Sequence, residues 1–357
     1  MNDTYTSDIR IERFDPLAAP RVLKERLPIS DASRTTVLEG RATVEKILSG
    51  EDSRLIAVVG PCSIHDPESA LDYARRLNAL KGRISDVFFL IMRVYFEKPR
   101  TKLGWRGLIL DPRLDGSYDI ESGLTQARGL LRNITAMGLP AGSEMLDPIV
   151  PQYIDDLVSW ASIGARTTES QTHREMASGL STPVGFKNGT DGSEDSAINA
   201  MASSLHPHSF IGIDQDGNTC VIHTKGNKDV FLILRGGRQG PNYHPWDTLR
   251  VEEMLRRAKL PQNIVVDCSH GNSERDPEKQ PEVLRDVIAQ WLEGRTSIRG
   301  FMLESNIRGG RQELTPGQIA TLTYGVSITD ACLGWEETKE LLERGADEIR
   351  AHRGADQ

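Results

Sequence analysis

Five basic side chains stand at or just beyond the ends of short apolar runs in this 357-residue sequence: Arg93, Lys98, Arg166, Lys187 and Arg235. A single Arg or Lys at a strand end is usually solvated or half of a surface ion pair. Five cations at one edge repel each other unless an anion lies among them. Because guanidinium groups bind carboxylate and phosphate through paired hydrogen bonds, the pattern predicts a substrate that carries both groups.

Four other positions carry side chains that bind divalent metals: Cys62, His270, Glu304 and Asp330. A thiolate, an imidazole and two carboxylates form a mixed set of soft and hard ligands, which suits Mn, Fe, Co or Zn better than Mg. Each has a plainer interpretation, since a lone cysteine is most often a small buried hydrophobic residue. The spacing is not that of a local metal motif, so the site depends on a fold that brings the four together.

The apolar runs that precede these residues have the length of strands and alternate with helix-like segments. There are eight, at 55–60, 88–93, 140–144, 163–166, 184–187, 230–235, 264–267 and 301–304. Runs without polar alternation are typical of strands buried on both faces, as in a parallel sheet covered by helices. Eight such units favour a closed (β/α)8 TIM barrel, an α/β fold in which the carboxyl ends of the strands meet at one mouth. A doubly wound open sheet is the alternative.

The remaining segments are placed around this barrel. Residues 1–50 form a polar N-terminal extension with a predicted helix at 33–48, and residues 51–357 form the catalytic barrel. Residues 206–228 fit none of the strand and helix units, and we predict an inserted β-hairpin there.

The charge balance excludes some partners. The chain carries 43 Lys and Arg against 51 Asp and Glu, a formal net charge of −8, which argues against nucleic acid or an anionic membrane surface as the main partner. No apolar run reaches the length of a membrane span, and the N-terminus lacks the apolar stretch of a signal peptide, so we expect a cytoplasmic protein. Four scattered cysteines do not form a disulfide framework, and we expect reduced thiols.

Several ordered strings in the sequence resemble the short, microbial type I 3-deoxy-D-arabino-heptulosonate-7-phosphate (DAHP) synthases. They are GPCSIHDP at 60–67, RVYFEKPRT at 93–101, GARTTES at 164–170, GFKNGTDG at 185–192, RGG at 235–237 and SITD at 327–330. The resemblance runs from about residue 8 to residue 350. It implies a (β/α)8 barrel with an N-terminal extension and an inserted hairpin. It also implies condensation of phosphoenolpyruvate with erythrose 4-phosphate, the first step of the shikimate pathway to aromatic amino acids.

The resemblance further implies roles for individual residues. The ligands of a single divalent metal ion, which could be Mn, Fe, Co or Zn, would be Cys62, His270, Glu304 and Asp330. The residues that bind phosphoenolpyruvate would be Arg93, Lys98, Arg166, Lys187 and Arg235, with further substrate contacts at Ala165 and Asp330. The residues that bind erythrose 4-phosphate would be Pro99, Arg100 and Thr101. The departures from the family pattern remove none of these: Lys102 stands where a hydroxyl residue is usual, Arg106 and Arg238 stand where Lys is frequent, and Gly309-Gly310-Arg311-Gln312 replaces a usual Glu-Gly-Asn-Gln.

Lys98, Glu144 and His270 are the predicted catalytic residues. We expect Lys98 to donate a proton to the alkoxide that forms, with a pKa lowered by the cations Arg93 and Arg166. Glu144 or an ordered water is expected to position the attacking water.

Two other functions stay open at this point. A related synthase would use arabinose 5-phosphate, although the sequence Lys98-Pro99-Arg100-Thr101 argues against that acceptor. A catalytically silent paralogue would bind an aromatic amino acid and regulate a partner, but side chains of the right type at all four metal positions argue against it.

Regulation is also implied by the resemblance, which is strongest to the tyrosine-sensitive branch. An effector pocket for an aromatic amino acid, with tyrosine favoured, would involve Gln152, Ser181 and Phe210 beside the inserted hairpin. The N-terminal arm would reach a neighbouring subunit in a homo-oligomer, a dimer or a tetramer.

A redox prediction follows if Cys62 and Asp330 share a metal. Cys332 lies two residues beyond Asp330, so the two Cα atoms are at most about 7 Å apart and Cys332 must lie near Cys62. When the metal is removed in air, the Cys62 thiolate is free to react, and a disulfide to Cys332 should form and inactivate the enzyme reversibly. Peptide mapping without reductant should show the two peptides linked, and dithiothreitol with metal should restore turnover. Activity that decays while both thiols remain alkylatable would contradict this prediction.

Overall fold

Eight parallel strands close into a barrel in the structure, a computed structural model that describes residues 6–100, 104–315 and 319–355. In spatial order the barrel runs β1, β10, β9, β8, β5, β4, β3, β2, where the strands are β1 (Leu55–Gly60), β2 (Phe88–Arg93), β3 (Ala141–Glu144), β4 (Trp160–Ile163), β5 (Val184–Lys187), β8 (Val230–Leu234), β9 (Ile264–Asp267) and β10 (Ile298–Glu304). Every barrel pairing is parallel, from β1 with β2 to β1 with β10. The predicted TIM barrel is confirmed, and the open doubly wound sheet is wrong.

Helices cover the outside of this barrel. They are α1 (Pro20–Arg26), α2 (Asp31–Ser49), α3 (Pro67–Ile84), α4 (Ile120–Ala136), α5 (Pro151–Ile154), α6 (Gln171–Gly179), α7 (Asp195–Ser204), α8 (Pro245–Arg257), α9 (Gln280–Leu292) and α10 (Trp335–Ala355). Asp66 begins α3, because its carboxylate accepts a hydrogen bond from the Glu68 amide and Pro67 follows at the first helical position. Within the described residues, no helix is both long enough and apolar enough to span a bilayer.

Helix α2 closes one end of the barrel. Its residues Val44, Ile47 and Leu48 belong to the same buried cluster as Val58 and Ile233, which come from barrel strands. The predicted helix at 33–48 is therefore confirmed. Since apolar side chains fill this end, the opposite mouth is left for polar chemistry.

One predicted strand is displaced. The sequence pattern placed the fourth strand at 163–166, whereas β4 is Trp160–Ile163. The Ser159 and Ser162 side chains disguised the run as polar, but both are fully buried and hydrogen-bonded, Ser162 to the Tyr95 hydroxyl at 2.8 Å. Arg166 consequently lies in the loop after β4 and not at a strand end.

The predicted hairpin is present as an antiparallel pair outside the barrel, β6 (Ser209–Ile213) and β7 (Thr219–His223). Its turn contacts α1, since the Arg21 amide donates to the Gln215 carbonyl at 2.8 Å and the Arg21 guanidinium pairs with Asp216 at 2.6 Å. The first helix of the extension is thus attached to the hairpin.

Two glycines of α4 provide a test of how closely the helix packs on its neighbour. A Cβ on Gly123 would lie 2.1 Å from the Ile109 carbonyl oxygen, whereas a Cβ on Gly129 would meet nothing within 4 Å. Gly123→Ala should therefore lower the free energy of unfolding by at least about 2 kcal/mol. Gly129→Ala, the matched control, should raise it by about 1 kcal/mol because alanine favours helix. Urea unfolding of both variants checks this, and equal effects at the two sites would contradict the packing described.

Candidate active site

A cleft of about 630 Å³ lies at the carboxyl-terminal mouth of the barrel. It is lined by predicted site residues, namely Lys98, Pro99, Arg100, Glu144, Ala165, Arg166, Lys187, Arg235, His270, Glu304 and Asp330. Further lining residues, which the sequence did not single out as site residues, include Thr190, Ser269, Ser273, Arg275 and Arg311. Arg93 and Cys62 are fully buried and are not among the lining residues, and Thr101 lies outside the described residues.

Three of the four predicted metal ligands converge beside this cleft. Ligand atoms of Cys62, Glu304 and Asp330 all lie within 4.8 Å of one another. His270 Nε2 approaches the same group, 3.8 Å from Glu304 Oε1. One sulfur, two carboxylates and one imidazole nitrogen are a donor set that fits a divalent transition metal or zinc. The fold thus brings together residues from the ends of β1, β9 and β10 and from the loop before α10.

His270 is oriented by its own loop. Its backbone is in the left-handed region, with φ at 57°, and its Nδ1 lies 2.9 Å from Asp267 Oδ2. The Ser269 hydroxyl donates to the other Asp267 oxygen at 2.6 Å. Burial opposes the charge on Asp267, but His270 and Lys187 outweigh it and hold its pKa well below the ordinary value. Asp267 therefore stays ionised and leaves Nε2 of His270 for a ligand.

The sequence did offer a signal for Asp267, since it ends the seventh predicted strand three residues before His270. Its function becomes visible only when the ring of His270 is placed.

Arg93 lies behind the cleft wall and connects its parts. It pairs with Glu304 at 2.8 Å, donates to the Cys62 carbonyl at 2.6 Å and also donates to the Pro61 carbonyl. Its guanidinium carbon lies 3.7 Å from the centre of the Tyr95 ring. Arg93 Nε has no hydrogen-bond partner among the described residues. This cation therefore fixes Glu304 and the backbone that carries Cys62.

Lys98 contacts the proposed metal site directly. Its ammonium donates to Cys62 Sγ and to the Cys62 carbonyl, both at 3.0 Å. The expected lowering of its pKa is wrong: burial does oppose the charge, but Cys62, Glu304 and Asp330 favour it, and the pKa of Lys98 is raised. The sequence argument counted neighbouring cations and could not count these acidic groups.

The pKa values of two acidic metal-ligand candidates, Cys62 and Asp330, shift in opposite directions. Burial raises the pKa of the Cys62 thiol to about 12, and the charges of Glu304 and Asp330 add to this. Burial also opposes the charge on Asp330, but Lys98 and His270 outweigh it and lower its pKa to about 2. Cys62 is thus a thiol that donates to Asp330 at 3.5 Å, and a metal must displace its proton.

A second buried ion pair lies across the cleft. Lys187 pairs with Glu144 at 2.8 Å, and both side chains are buried. Burial disfavours the charge on Glu144, but Lys187 outweighs it and lowers the pKa of the carboxyl. Burial likewise opposes the charge on Lys187, but Glu144 outweighs it and raises the pKa of the ammonium. Both groups are therefore charged in the ligand-free structure.

The loop after β2 folds back upon itself and so brings Pro99 and Arg100 to the cleft. The Lys98 amide donates to the Arg106 carbonyl at 2.9 Å. Gly107 has a φ of 116°, and a Cβ there would lie 2.0 Å from the Phe96 carbonyl oxygen, so only glycine fits.

The predicted effector residues lie away from the cleft, near the hairpin. Gln152 accepts a hydrogen bond from Gln215 in the hairpin turn at 2.7 Å. The Ser181 amide donates to Asp155 at 3.4 Å, which places Ser181 beside the end of α5. Phe210 is on β6, and β6 packs against α6.

Cys332 lies next to Cys62, as the redox prediction requires. Burial raises the pKa of the Cys332 thiol well above its ordinary value. A hydrogen bond from the Cys62 backbone acts in the opposite direction, which places the two cysteines side by side.

Comparisons with known proteins identify the family of this chain. The family model described as the DAHP synthetase I family matches residues 27–343. A Tyr-sensitive phospho-2-dehydro-3-deoxyheptonate aldolase of Salmonella typhimurium is 52% identical over 96% of this chain and 96% of its own, and the Phe-sensitive relative of Escherichia coli is 49% identical over 97% and 98%. A solved phospho-2-dehydro-3-deoxyheptonate aldolase from Francisella tularensis superposes with a TM-score of 0.93 at 44% identity, covering 96% of this chain and 99% of that one. The predicted resemblance is confirmed, and this chain belongs to the DAHP synthetase I family.

Proposed function

We propose that the cleft carries out the family's reaction, the condensation of phosphoenolpyruvate with erythrose 4-phosphate to give DAHP and phosphate, with the residues described above. DAHP synthases are metal-dependent enzymes, and this chain is an enzyme of that family. The observation that carries the proposal is the presence of four cations in one cleft with a mixed sulfur, nitrogen and oxygen ligand set beside it.

Phosphoenolpyruvate binds to the cations that line the cleft. Lys98, Arg166, Lys187 and Arg235 present their charges to its interior. Burial lowers the pKa of Arg235, and the nearby charges of Arg166 and Arg275 also lower it. An anion that binds between these groups therefore relieves their repulsion. Arg93 is buried behind the cleft wall, and its positive charge attracts phosphoenolpyruvate without direct contact. Ala165 and Asp330 complete the wall around the substrate.

The metal ion is held by Cys62, His270, Glu304 and Asp330. When bound, a divalent metal supplies Lewis-acid polarisation to the aldehyde carbonyl of the acceptor. The protein's part is to keep the four ligands in place: Arg93 holds Glu304, Lys98 holds the sulfur, and Asp267 orients the imidazole of His270. The same donor set accepts Mn, Fe, Co or Zn.

Lys98 donates a proton in this reaction, and Glu144 positions a water molecule. Carbon 3 of phosphoenolpyruvate attacks the aldehyde carbon, and the aldehyde oxygen becomes an alkoxide. With its raised pKa, Lys98 stays charged, stabilises this oxygen and gives it a proton once the oxygen has become basic. Water positioned by the ionised Glu144 adds to carbon 2 and releases one proton to solvent. The tetrahedral carbon then expels phosphate, which takes up the remaining hydroxyl proton as the carbonyl forms.

The acceptor sugar is selected at the loop after β2. Pro99 and Arg100 line the cleft there, and we assign Thr101 to the same contact with the phosphate of erythrose 4-phosphate. Phosphate release should be measured with erythrose 4-phosphate and with arabinose 5-phosphate under saturating phosphoenolpyruvate. Faster turnover of arabinose 5-phosphate would reject the proposed acceptor while leaving the phosphoenolpyruvate site intact.

Cys62→Ala should abolish both turnover and metal binding while the barrel stays folded, because the thiolate is a ligand. Cys220→Ala on β7 is the matched control and should retain both properties. Metal content by elemental analysis, turnover and circular dichroism check this. A Cys62→Ala protein with stoichiometric metal and near-normal turnover would remove Cys62 from the site.

We also assign residues 1–50 to an oligomer and regulatory arm. The segment before α1 exposes Ile9, Ile11, Phe14 and Leu17, and the outer face of the hairpin exposes the paired side chains of Ile211 and Val221. Apolar side chains in such a row favour burial against a second copy of the chain. Gln152, Ser181 and Phe210 surround the adjoining effector site, for which the Tyr-sensitive relatives favour tyrosine.

Tyrosine should therefore inhibit turnover more strongly than phenylalanine or tryptophan. Deleting residues 1–17, which removes the four exposed apolar side chains, should weaken inhibition and assembly together. Deleting residues 1–7 keeps those side chains and is the matched control. Inhibition curves and sedimentation of both variants test this, and inhibition that persists in a monomeric 1–17 deletion would contradict the arm's role.

A further inference from the structure

We propose that Asn242 is a positioning residue of the phosphoenolpyruvate site, whose carboxamide locks the strand ends carrying Lys187 and Arg235 at a fixed separation. This inference rests on the proposed role of those two cations. Asn242 lies in the loop between β8 and α8, is only 5% exposed, and does not line the cleft.

Each polar atom of the Asn242 side chain has a partner. Its Oδ1 accepts a hydrogen bond from the Gly236 amide at 2.7 Å. Its Nδ2 donates to Asn188 Oδ1 at 3.3 Å and to Glu194 Oε1 at 3.2 Å. Because the backbone amide of Gly236 can only donate, the orientation of the carboxamide is fixed.

Asn188 extends this connection to the backbone of Arg235. Its Oδ1 accepts from the Arg235 amide at 2.8 Å, and its Nδ2 donates to the Gly236 carbonyl at 3.1 Å. Asn188 directly follows Lys187, and Gly236 directly follows Arg235. The two carboxamides therefore bind backbone atoms immediately adjoining the two cations and link the end of β5 to the end of β8.

The turn after Arg235 needs such support because it consists of glycines. Gly236 has a φ of 66°, and a Cβ there would lie 2.4 Å from the Gly271 backbone, so a side chain cannot be accommodated. Glycine gives the close approach but no rigidity of its own. The carboxamide of Asn242 supplies the rigidity through hydrogen bonds.

A buried ion pair anchors the carboxamide from the other side. Glu194 is 3% exposed and accepts two hydrogen bonds from Arg250 on α8, each at 2.9 Å. Its Oε1 is therefore fixed where Asn242 Nδ2 meets it. In Asn242→Asp, an oxygen would replace this donor and face Glu194 Oε1, which is repulsive in a buried site.

The opposite end of β8 provides a matched comparison. Asn227 is 7% exposed, its Nδ2 donates to the carbonyls of Ala177, Leu180 and Thr182, and its Oδ1 accepts from the Asp229 amide. It is as buried and as fully bonded as Asn242, but it precedes the strand and lies away from the cleft. An effect on substrate that is confined to Asn242 thus separates positioning from general stability.

The test measures phosphoenolpyruvate binding by calorimetry, kcat, and metal affinity in holoenzyme variants. Asn242→Asp and Asn242→Ala should weaken phosphoenolpyruvate binding about tenfold or more, with kcat and metal affinity changed less than about threefold. Asn227→Ala should lower thermal stability but leave phosphoenolpyruvate binding unchanged. The double variant Asn242→Asp with Glu194→Gln restores a donor facing an acceptor, so it should recover part of the affinity.

Two results would overturn the inference: unchanged phosphoenolpyruvate binding in both Asn242 variants, or an equal loss in Asn227→Ala. Arg235→Gln is measured alongside to separate this inference from the proposed function. If Arg235→Gln weakens binding and the Asn242 variants do not, only the positioning role fails. If Arg235→Gln has no effect, the assignment of the phosphoenolpyruvate site itself is wrong.

Discussion

Arg93 brings a permanent positive charge to the mouth of the barrel without any exposed surface, and the protein must compensate that charge internally. It does so with Glu304, a proposed metal ligand, at 2.8 Å. The charge of Lys98, which donates to Cys62 Sγ, is favoured by the carboxylates of Glu304 and Asp330, and Lys187 pairs with Glu144. In the ligand-free structure the cations that we propose bind substrate are thus held by the acidic groups that we propose bind metal and water. We expect substrate and metal binding to exchange these partners instead of creating charge in an apolar site.

This charge arrangement depends on the rigidity of the elements that carry it. Strands buried on both faces fix Arg93, Glu144, Lys187 and Glu304 at their ends, and α2 fills the opposite end of the barrel. Loop residues need other supports. His270 is held by Asp267, and the glycine turn after Arg235 is held by amide side chains. An acidic protein can therefore keep a cleft rich in cations, because Arg93, Lys98 and Lys187 are each held by buried neighbours.

Continuous apolar runs made the barrel predictable, because eight runs of strand length without polar alternation are typical of parallel strands buried on both faces. The prediction was wrong for β4, where Ser162 is polar in sequence but is bonded to Tyr95 in the core. The candidate metal and substrate residues could be singled out because their side chains are chemically distinctive, and their roles stay predictions. The pKa of Lys98 could not, since its direction depends on distances to Cys62 and Asp330. Nor could Asp267 or Asn242, because ordinary carboxylates and amides acquire a role only through the atoms they face.

Equilibrium binding of phosphoenolpyruvate to Glu144→Gln tests the exchange of partners most directly. Removing this carboxylate leaves Lys187 without its buried counter-charge and takes away an anion that competes with the substrate. Glu169→Gln removes the same charge from an exposed position after β4 and serves as the control. The account predicts that Glu144→Gln binds phosphoenolpyruvate several-fold more tightly than the parent enzyme while its turnover falls, and that the control matches the parent. Binding that is unchanged or weaker in Glu144→Gln would contradict it.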